Sequence, residues 1–395
     1  MKIGWEIERL EQVCYEITDG SHFSPKTTGQ GYPYVTVRDI ENDQIDFDNC
    51  KLISETDFNQ LRKNGCRPYK GNVLFSKDGT VGKVSLVDYD KNFVVLSSLA
   101  ILRPNNTRID SAFLKYLLKS PDFLEQAVGK KTGVAIRRII LRNLKSIPIP
   151  VPPLGDQQRI VGILDKAFDG IATAKANAEK NLQNALDTFE SHLQSVFNQR
   201  GEGWMEKKLG DVADLVDCLH KTPSYKEHGF PMVRVTDIKP GFLDLSNTRK
   251  VDEQTFIEFS KKHTPMAGDI VFSRVGSYGV SSFVSSDKPF CLGQNTVFIL
   301  PTINSVLLYY FLNSPNAKVQ FDQLVDGTTQ PTISLRSIRE IKVAFPPPRE
   351  HGRLIVKLDS LTKETQRLAT LYERKLAALE ALKKSLLHQA FTGNL

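Results

Sequence analysis

The sequence predicts an α+β fold that contains two similar globular domains, each followed by a long helix. Three observations predict it: landmarks repeat about 195 residues apart, short β-rich runs fill the first part of each copy, and a long amphipathic stretch ends each copy. A repeat of this length indicates a duplicated domain, because the units of solenoid proteins are only about 20–50 residues long. Two copies of one domain also predict a pseudo-two-fold axis between them.

The duplication is visible in residues that recur in the same order. Trp5 and His22 of the first copy correspond to Trp204 and His220 of the second. Further pairs follow in register: Gly79 and Gly276, Gly82 and Gly279, Arg142 and Arg336, Arg159 and Arg353, Phe197 and Phe391. We expect the tryptophans to pack in the two cores and the paired glycines to form tight turns.

Composition indicates an ordinary globular protein. Its 395 residues are enough for a hydrophobic core in each half. There is no apolar run of about 18 residues and no basic-then-apolar leader, which favours a cytoplasmic protein without a membrane partner. The five cysteines are scattered and form no CxxC pair, so we expect reduced thiols, no disulfide framework and no zinc site.

The formal net charge of +7 is mild for this length, but the basic residues are unevenly distributed. The stretch from Gln126 to Gly155 contains no acidic residue. Its basic residues are Lys130, Lys131, Arg137, Arg138, Arg142 and Lys145. Two interpretations stay open: a surface that contacts phosphate groups, or a solvated face without a ligand.

The β-rich regions contain runs of β-branched and aromatic residues between Gly, Asn and Asp. A shorter helical pattern follows in each copy and ends at a Ser-Pro pair. Strands are predicted at 34–37, 73–75, 93–96, 232–235 and 269–272, and the shorter helices at 111–118 and 305–312. The predicted domains and long helices divide the chain at 1–150, 151–198, 199–345 and 346–395.

Prolines at 148–153 and 346–348 precede the two long helical stretches. We expect them to stiffen the chain and to be unable to continue a sheet ladder. From 157 to 197 there is no proline, so about 40 residues would form a rod about 60 Å long.

Each long helix carries an apolar seam at steps of three and four residues. The seam residues are Ala174, Ala178, Leu182, Ala185, Phe189 and Val196 in the first helix and Leu368, Tyr372, Leu376, Leu379, Leu386 and Ala390 in the second. The simplest arrangement is an antiparallel coiled coil in which the two seams cover each other. The alternative is that each helix folds back on its own domain.

A search for catalytic motifs returns no match. Residues 78–83 have the wrong spacing for a phosphate-binding loop, and no GxGxxG or GxSxG motif occurs in the required context. We therefore expect no catalytic residue and no bound cofactor. His22 and His220 have no neighbouring Cys or His at ligand spacing, so we also expect no metal.

Five segments together resemble the specificity (S, HsdS) subunits of type I restriction-modification systems. These segments are DGSHFSP at 19–25, SKDGTVG at 76–82, its counterpart SRVGSYG at 273–279, GTTQPTI at 327–333 and PPLGDQQRI at 152–160. Each is short, but their order before a long helix is specific, and the resemblance covers essentially the whole chain.

The chain departs from that family's pattern in two places. The family usually has Glu-Gln after the double proline, whereas this chain has Asp156-Gln157 in one copy and Glu350-His351 after a third proline in the other. The first copy also reads VAIRR at 134–138 where the second reads TTQPT at 328–332. We expect both differences to alter contacts and not the fold.

The resemblance implies a non-catalytic subunit with two target-recognition domains. Each domain would read one half of a bipartite double-stranded DNA sequence, and the paired helices would set the distance between the halves. It also implies two methyltransferase subunits docked along the helices and domain flanks, and translocating restriction subunits recruited to the whole complex. Catalysis would then lie in these partners.

Reading DNA requires side chains that reach base edges and others that contact phosphates, and loops are expected to supply both. The candidates in the first domain are Ser21, His22, Ser24, Lys26, Thr36, Arg38, Lys77, Lys130, Lys131, Arg137 and Arg138. Those in the second are His220, Lys221, Ser224, Tyr225, Arg234, Thr236, Arg274, Tyr278, Gln294, Asn295, Thr329 and Gln330. Because the domains differ most at these positions, we expect unlike half-sites and an asymmetric target.

Two other functions compete with this interpretation. A stand-alone restriction or modification enzyme would need nuclease carboxylates or a cofactor motif within the chain. A structural coiled-coil adaptor would need neither basic loops nor duplicated domains, and a salt-dependent gel shift separates it from a DNA-binding protein.

Overall fold

The computed structural model describes residues 4–129, 138–327 and 330–395. The chain divides into two compact units. The first unit comprises Met1–Ala178 and Arg374–Leu395, and the second comprises Glu179–Glu373. Each unit therefore contains one β-rich region and a part of each long helix. The pseudo-two-fold axis and the domain limits drawn from the sequence stay predictions.

The first unit begins with a β-rich region. Its strands are β1 (Glu6–Arg9), β2 (Cys14–Asp19), β3 (Thr27–Thr28), β4 (Tyr32–Val35), β5 (Ile40–Glu41), β6 (Gln44–Ile45), β7 (Lys51–Ile53), β8 (Val73–Ser76), β9 (Val84–Leu86), β10 (Val94–Val95), β11 (Leu99–Pro104) and β12 (Pro148–Val151). Its helices are α1 (Glu55–Lys63), α2 (Ser111–Lys119), α3 (Pro121–Val128), α4 (Leu141–Lys145) and the beginning of α5 (Leu154–Asn198), with 3₁₀ turns at Leu10–Val13 and Val37–Asp39.

The second unit repeats most of this order, without counterparts of β3, β5 and β6 in its described residues. Its strands are β13 (Met205–Lys208), β14 (Ala213–Asp217), β15 (Phe230–Val233), β16 (Arg249–Val251), β17 (Ile270–Ser273), β18 (Ser281–Phe283), β19 (Cys291–Leu292), β20 (Thr296–Pro301) and β21 (Lys342–Phe345). Its helices are α6 (Leu209–Val212), α7 (Glu253–Phe259), α8 (Ser305–Leu312), α9 (Pro315–Leu324), α10 (Leu335–Arg339) and the beginning of α11 (Pro348–Thr392), with a 3₁₀ turn at Val235–Asp237.

A four-stranded antiparallel sheet forms the centre of each unit, in the order β2-β11-β8-β9 in the first and β14-β20-β17-β18 in the second. Both faces of this sheet are covered, because alternate side chains of a strand point to opposite faces. In β8, Val73 and Phe75 pack under the helices, whereas Leu74 joins a second core on the other face. The second core lies between this sheet and a smaller mixed sheet that contains β4, β7 and β10.

The predicted shorter helices are confirmed, and their ends have clear causes. The Asp110 carboxylate accepts hydrogen bonds from the amides of Ala112 and Phe113 at the start of α2. The helix stops at Ser120, whose hydroxyl caps α3, because the next residue is a proline at the first position of the new helix. Asn304 and Ser314 cap α8 and α9 in the same way.

The two long helices contain 45 residues each. Within the first unit they run antiparallel, since Arg159 of α5 bonds the backbone oxygen of Leu395 at 2.9 Å and Lys175 lies 3.0 Å from Glu380. Within the second unit, the end of α5 and the beginning of α11 share one core. All twelve predicted seam residues are buried or half-buried, and the predicted helix pairing is confirmed.

Each long helix also packs against the domain that precedes it. The alternative prediction, that each helix folds back on its own domain, therefore holds in part. Tyr116 of α2 donates a hydrogen bond to Asp165 of α5, and Tyr310 of α8 donates one to Asp359 of α11, the latter at 2.6 Å. Both tyrosines occupy the same place in the repeat. They fix the beginning of each long helix to its own domain.

The prediction that the prolines before the first helix cannot continue a sheet ladder is wrong. Pro148–Val151 forms strand β12, which pairs with β1 in a two-stranded sheet. Because Pro148 and Pro150 are two residues apart, their nitrogens face the same edge of the strand, and a two-stranded sheet leaves one edge of each strand free. The third proline of the second copy, Pro348, is the first residue of α11, where its fixed φ suits a helix.

The two copies differ in the residues after the double proline, at the start of each long helix, and this difference alters contacts, as expected. The buried amide of Gln157 donates to the carbonyls of Arg108 and Pro152 and accepts from the amide of Asp110, at 2.7–2.9 Å. His351 takes this place in the second unit and contacts the Pro346 carbonyl at 3.0 Å.

The paired tryptophans and the cysteines are buried or half-buried. Trp5 and Trp204 pack in or against the two main cores, as predicted. All five cysteines are buried free thiols, and burial raises the pKa of Cys14 and of Cys291 to about 12. Within the described ranges, no helix combines the length and apolar character needed to cross a membrane.

Candidate nucleic-acid interface

The ends of two strands meet at the same place in each unit. In the first unit, β2 and β8 flank β11 and both run antiparallel to it, with Asp19 opposite Ala100 and Ser76 opposite Leu99. The last residues of β2 and β8 therefore lie side by side at the beginning of β11. The register repeats in the second unit, where Asp217 is opposite Val297 and Ser273 is opposite Thr296.

In the first unit an aspartate joins the two strand ends. The Nζ atom of Lys77, directly after β8, lies 3.3 Å from Oδ1 of Asp19. The other carboxylate oxygen, Oδ2, lies 3.3 Å from Nε2 of His22. Lys77 is 2% exposed, whereas the His22 side chain is 68% exposed. The aspartate thus holds a buried cation beneath an exposed imidazole.

The second unit has the same cluster with an arginine in place of the lysine. Nη1 of Arg274 lies 2.9 Å from Oδ1 of Asp217, and Nε2 of His220 lies 3.1 Å from Oδ2. We refer to Asp19-His22-Lys77 and Asp217-His220-Arg274 as the strand-end clusters. The two aspartates were not among the predicted residues, although both copies place an aspartate three residues before the paired histidine.

Backbone hydrogen bonds connect three segments around each cluster. In the first unit the amide of Lys77 donates to the Ser98 carbonyl at 2.9 Å, and the amide of Ile139 donates to the Lys77 carbonyl at 2.8 Å. In the second unit Arg274 makes both bonds at 2.9 Å, with Asn295 and Ile333. The same backbone therefore supports different side chains in the two units.

The side chains at equivalent positions of this backbone arrangement differ in charge between the two units. Asp78 of the first unit pairs with Arg138 at 3.6 Å, and the backbones of these residues form a bridge. The equivalent bridge of the second unit joins Val275 and Thr332, which carry no charge. The two units thus present unlike chemistry at equivalent positions.

The 3₁₀ turn after the fourth strand of the first unit lies against the loop between β8 and β9, where a Cβ atom at Gly79 would lie 3.6 Å from Val37. The Lys83 ammonium donates to the Val37 carbonyl at 3.2 Å and to the Ile40 carbonyl at 2.6 Å. Asp39 accepts a hydrogen bond from the Thr36 hydroxyl at 2.8 Å, whereas Arg38 stays exposed. In the second unit Asp237 binds the guanidinium of Arg234 through both oxygens, at 2.9 and 3.0 Å.

Many of the predicted DNA-binding residues are exposed on these loops. They are His22, Ser24, Lys26, Arg38 and Arg138 in the first unit, and His220, Lys221, Ser224, Thr236, Gln294 and Gln330 in the second. Four further predicted residues, Lys130, Lys131, Arg137 and Thr329, lie outside the described residues.

Several predicted residues are engaged inside the protein. Ser21 and Lys77 are buried, at 3% and 2% exposure, because one bonds the backbone of Phe23 and the other pairs with Asp19. Both residues therefore support the loop from inside the unit, and their contact with DNA stays a prediction. The half-buried residues Thr36, Tyr225, Arg234, Arg274, Tyr278 and Asn295 keep part of their surface accessible.

Three of the half-buried residues, Tyr225, Tyr278 and Asn295, are held by contacts or by a particular backbone conformation. The Arg249 guanidinium lies 4.6 Å from the ring centroid of Tyr225. The Tyr278 hydroxyl donates to Asp322 at 3.0 Å, and this bond raises the pKa of Tyr278. Asn295 has a φ of +65°, a conformation that asparagine tolerates better than most residues.

The paired glycines form tight turns, as predicted. Gly79 and Gly276 have φ values of +72° and +70°, and Gly82 and Gly279 have values of +97° and +79°. A side chain at either of the latter two would also collide with a neighbour. A Cβ atom at Gly279 would lie 2.6 Å from the ring of Phe321.

The expectation that no cysteine lies at ligand spacing from His220 is wrong. Asp217, Cys218 and His220 place one possible ligand atom each within 4.8 Å of one another. The Arg274 guanidinium already occupies the carboxylate, and burial raises the pKa of the Cys218 thiol, so the donor set does not suit a cation. We assign no metal to this cluster.

Comparison with known families decides the relationship. The family described as the type I restriction modification DNA specificity domain matches residues 2–183 and 201–377. The chain belongs to this family. The two matched segments agree with the duplication, and the resemblance identified from the sequence is confirmed.

Curated relatives agree with this assignment. The MjaVIII specificity subunit of a type I restriction enzyme from Methanocaldococcus jannaschii is 23% identical over 82% of this chain and 79% of its own length. The EcoKI specificity subunit from Escherichia coli K12 is 25% identical over 75% of this chain and 68% of its own length.

Solved structures show the same fold. A chain from a study of complex assembly and conformational transition of the type I R-M system matches all of this chain and 99% of its own length, with a TM-score of 0.77 and 18% identity. The HsdS subunit from Thermoanaerobacter tengcongensis matches with a TM-score of 0.54 and 18% identity.

Proposed function

We propose that this chain is the DNA specificity subunit of a cytoplasmic type I restriction-modification complex. In this proposal each unit reads one half of a bipartite double-stranded DNA sequence. The observation that carries it is the repetition of the strand-end cluster on the same backbone in both units, with different side chains around it.

The exposed loop residues divide into two roles. Lys26, Arg38 and Arg138 are exposed cations that suit phosphate oxygens, which position a protein on DNA without reading sequence. Gln294 and Gln330 are exposed amides of the kind that pair with adenine in the major groove. The strand-end clusters support these loops from below.

The unlike charges of the two units favour an asymmetric target. The first unit carries the Asp78–Arg138 pair where the second carries Val275 and Thr332. An arginine can also contact guanine, whereas the methyl group of the equivalent residue, Thr332, can contact the methyl group of thymine. Equivalent loops would then select different bases.

Catalysis in this proposal belongs to partner subunits. Two methyltransferase subunits would dock along the long helices and domain flanks, and restriction subunits would join through the complex. The paired helices would set the distance between the half-sites, and the chain would need no cofactor of its own.

A domain exchange tests the proposal. Residues 1–150 are replaced by the corresponding region of a relative with a different target, and the chain is assembled with its methyltransferase partners. Base-resolution mapping should then show a methylated motif in which only one half has changed. A motif that changes in both halves or in neither would contradict the modular assignment.

Side-chain variants test the assignment of roles. Gln294→Ala and Gln330→Ala should relax base selection in the half-site of the second unit, by about 1–3 kcal/mol for each lost pair. Lys26→Ala should weaken binding to all sequences alike and reduce the salt dependence by about one phosphate contact. Gln254→Ala, at an exposed position of α7 in the same unit and outside the long helices, is the matched control and should leave the motif unchanged.

The adaptor alternative is excluded or supported by binding alone. A gel shift of the assembled complex on DNA should weaken steeply as salt rises, because counterions are released from phosphates on binding. A complex that binds no DNA at any salt concentration would favour the adaptor.

A further inference from the structure

Phe23 is an exposed aromatic residue at the tip of the loop that follows β2. Its side chain is 62% exposed, and it lies directly between His22 and Ser24, which are also exposed. An exposed apolar ring does not contribute the stabilisation that its burial away from water would provide. Its placement at the centre of a polar loop leaves the ring available to a partner outside the unit.

The backbone of Phe23 is held firmly. The buried Ser21 hydroxyl donates to the Phe23 carbonyl at 2.5 Å and accepts from the Phe23 amide at 3.1 Å. The Tyr34 hydroxyl donates to the same carbonyl at 3.2 Å. Ser21 is itself fixed, because its amide bonds the Val95 carbonyl at 2.7 Å. The ring is thus presented by an ordered support and cannot easily fold inward.

A cleft of about 520 Å³ with a mixed polar and apolar lining lies beside the ring. Its lining includes His22 and the amide side chains of Gln60 and Asn64, which are one turn apart near the end of α1 and are both exposed. Amides and an imidazole beside an aromatic ring suit a nucleobase, which offers a flat face and hydrogen-bonding edges. An apolar peptide would leave these polar groups without partners.

The second unit has no aromatic residue at the equivalent position. Lys221 follows His220 there, and its ammonium lies 2.5 Å from the Glu258 carboxylate on α7. The residue that matches Phe23 is thus a cation tied to its own unit. Any role of the ring belongs to one half of the duplicated protein.

We propose that Phe23 inserts into the DNA at the half-site of the first unit, stacks on a base and unstacks one base step. Wedges of this kind distort DNA locally and make recognition depend on how easily the step deforms. The inference rests on the proposed function and deepens it: one half-site is read partly through its deformability, and the other is read without a wedge.

The test uses the chain assembled with its methyltransferase partners and a duplex that carries 2-aminopurine at successive positions of both half-sites. The wild-type complex should raise the fluorescence at one step of the first half-site. Phe23→Ala should abolish that rise and weaken binding about tenfold. Phe23→Trp should retain the rise, because indole also stacks.

Tyr15→Ala is the matched control, since Tyr15 is a 72% exposed aromatic residue of β2 in the same unit. It should leave both fluorescence and affinity unchanged. Sequence-specific binding with an undistorted first half-site, or a distortion that survives Phe23→Ala, overturns this inference alone. A complex without sequence-specific binding overturns the proposed function and the inference with it.

Discussion

The ammonium of Lys77 lies 3.3 Å from the carboxylate of Asp19, and the lysine is almost completely buried. A buried ammonium without a carboxylate partner is strongly disfavoured. The Asp19 carboxylate also contacts His22, which is exposed at the candidate DNA surface. A pair in the interior thereby fixes the base of a loop at the surface.

Replacing Asp19 by asparagine should destabilise the chain by about 3 kcal/mol, because the buried Lys77 loses its counter-charge. Denaturant unfolding of the two proteins measures this difference in the free energy of unfolding. Asp90→Asn is the control, since Asp90 is 89% exposed and pairs with Arg67 at 3.7 Å. Equal stability of the two variants would mean that Lys77 does not depend on Asp19.

Tyr116 and Tyr310 should make stability fall at high pH. Burial and the hydrogen bonds to Asp165 and Asp359 raise the pKa of both tyrosines. Above the ordinary tyrosine pKa of about 10, the unfolded chain loses protons that the folded chain keeps, so stability decreases as pH rises. Urea unfolding between pH 8 and pH 11 should show a smaller decrease for the double variant Tyr116→Phe/Tyr310→Phe.

Leu382→Ala, at a 47% exposed position of α11, provides the comparison, because it removes no ionisable group. Its pH dependence should match the wild-type chain. If the double variant also matched the wild type, the contacts between domain and helix would not control the protonation of these hydroxyls.

Gly279→Ala and Gly276→Ala should differ in stability although both residues lie in the same turn. Both have positive φ, which costs an alanine about 1 kcal/mol. Only Gly279 faces a buried ring, 2.6 Å from the position of the new Cβ atom. We expect Gly279→Ala to cost about 3 kcal/mol in all. Thermal midpoints in the same order would support this account, and equal midpoints would show that Phe321 moves aside.

Phe391→Ala should destabilise the first unit, although the residue lies near the end of the chain. Phe391 packs in the core of that unit, with its ring 5.2 Å from Phe113. The expected loss is about 3–4 kcal/mol, since a large buried side chain is removed. Hydrogen exchange should accelerate in α2 and β11. Leu382→Ala, at a 47% exposed position of the same helix, should have little effect.

Much of the fold follows from local patterns in the sequence. The duplication, the shorter helices and the long helices with their seams can all be read from periodicity and caps, because these depend on residues close together in the chain. Strand β12 could not be predicted, since Pro148 and Pro150 are tolerated only because of a partner strand far away in the sequence.

In the candidate site, too, features that depend on nearby residues could be predicted, and features that depend on distant residues could not. Its loops are recognisable in the sequence from paired residues such as His22 and His220. Which side chains of these loops are buried is not recognisable in the sequence. Lys77 lies in a glycine-containing turn that is typical of the surface, yet it is buried because β2 ends beside it. Asp19 and Asp217 were missed for the same reason: their role depends on strands that pair only through β11 and β20.

The composition of the first unit from Met1–Ala178 and Arg374–Leu395 has a consequence for synthesis. The ribosome produces all of Glu179–Glu373 before it produces the last residues that complete the first unit. Until then, apolar residues such as Phe113 and Leu164 lack the cover that Leu387 and Phe391 provide. The half of the protein that is translated first is therefore the half that finishes folding last, and an early release of the nascent chain leaves it exposed to chaperones and proteases.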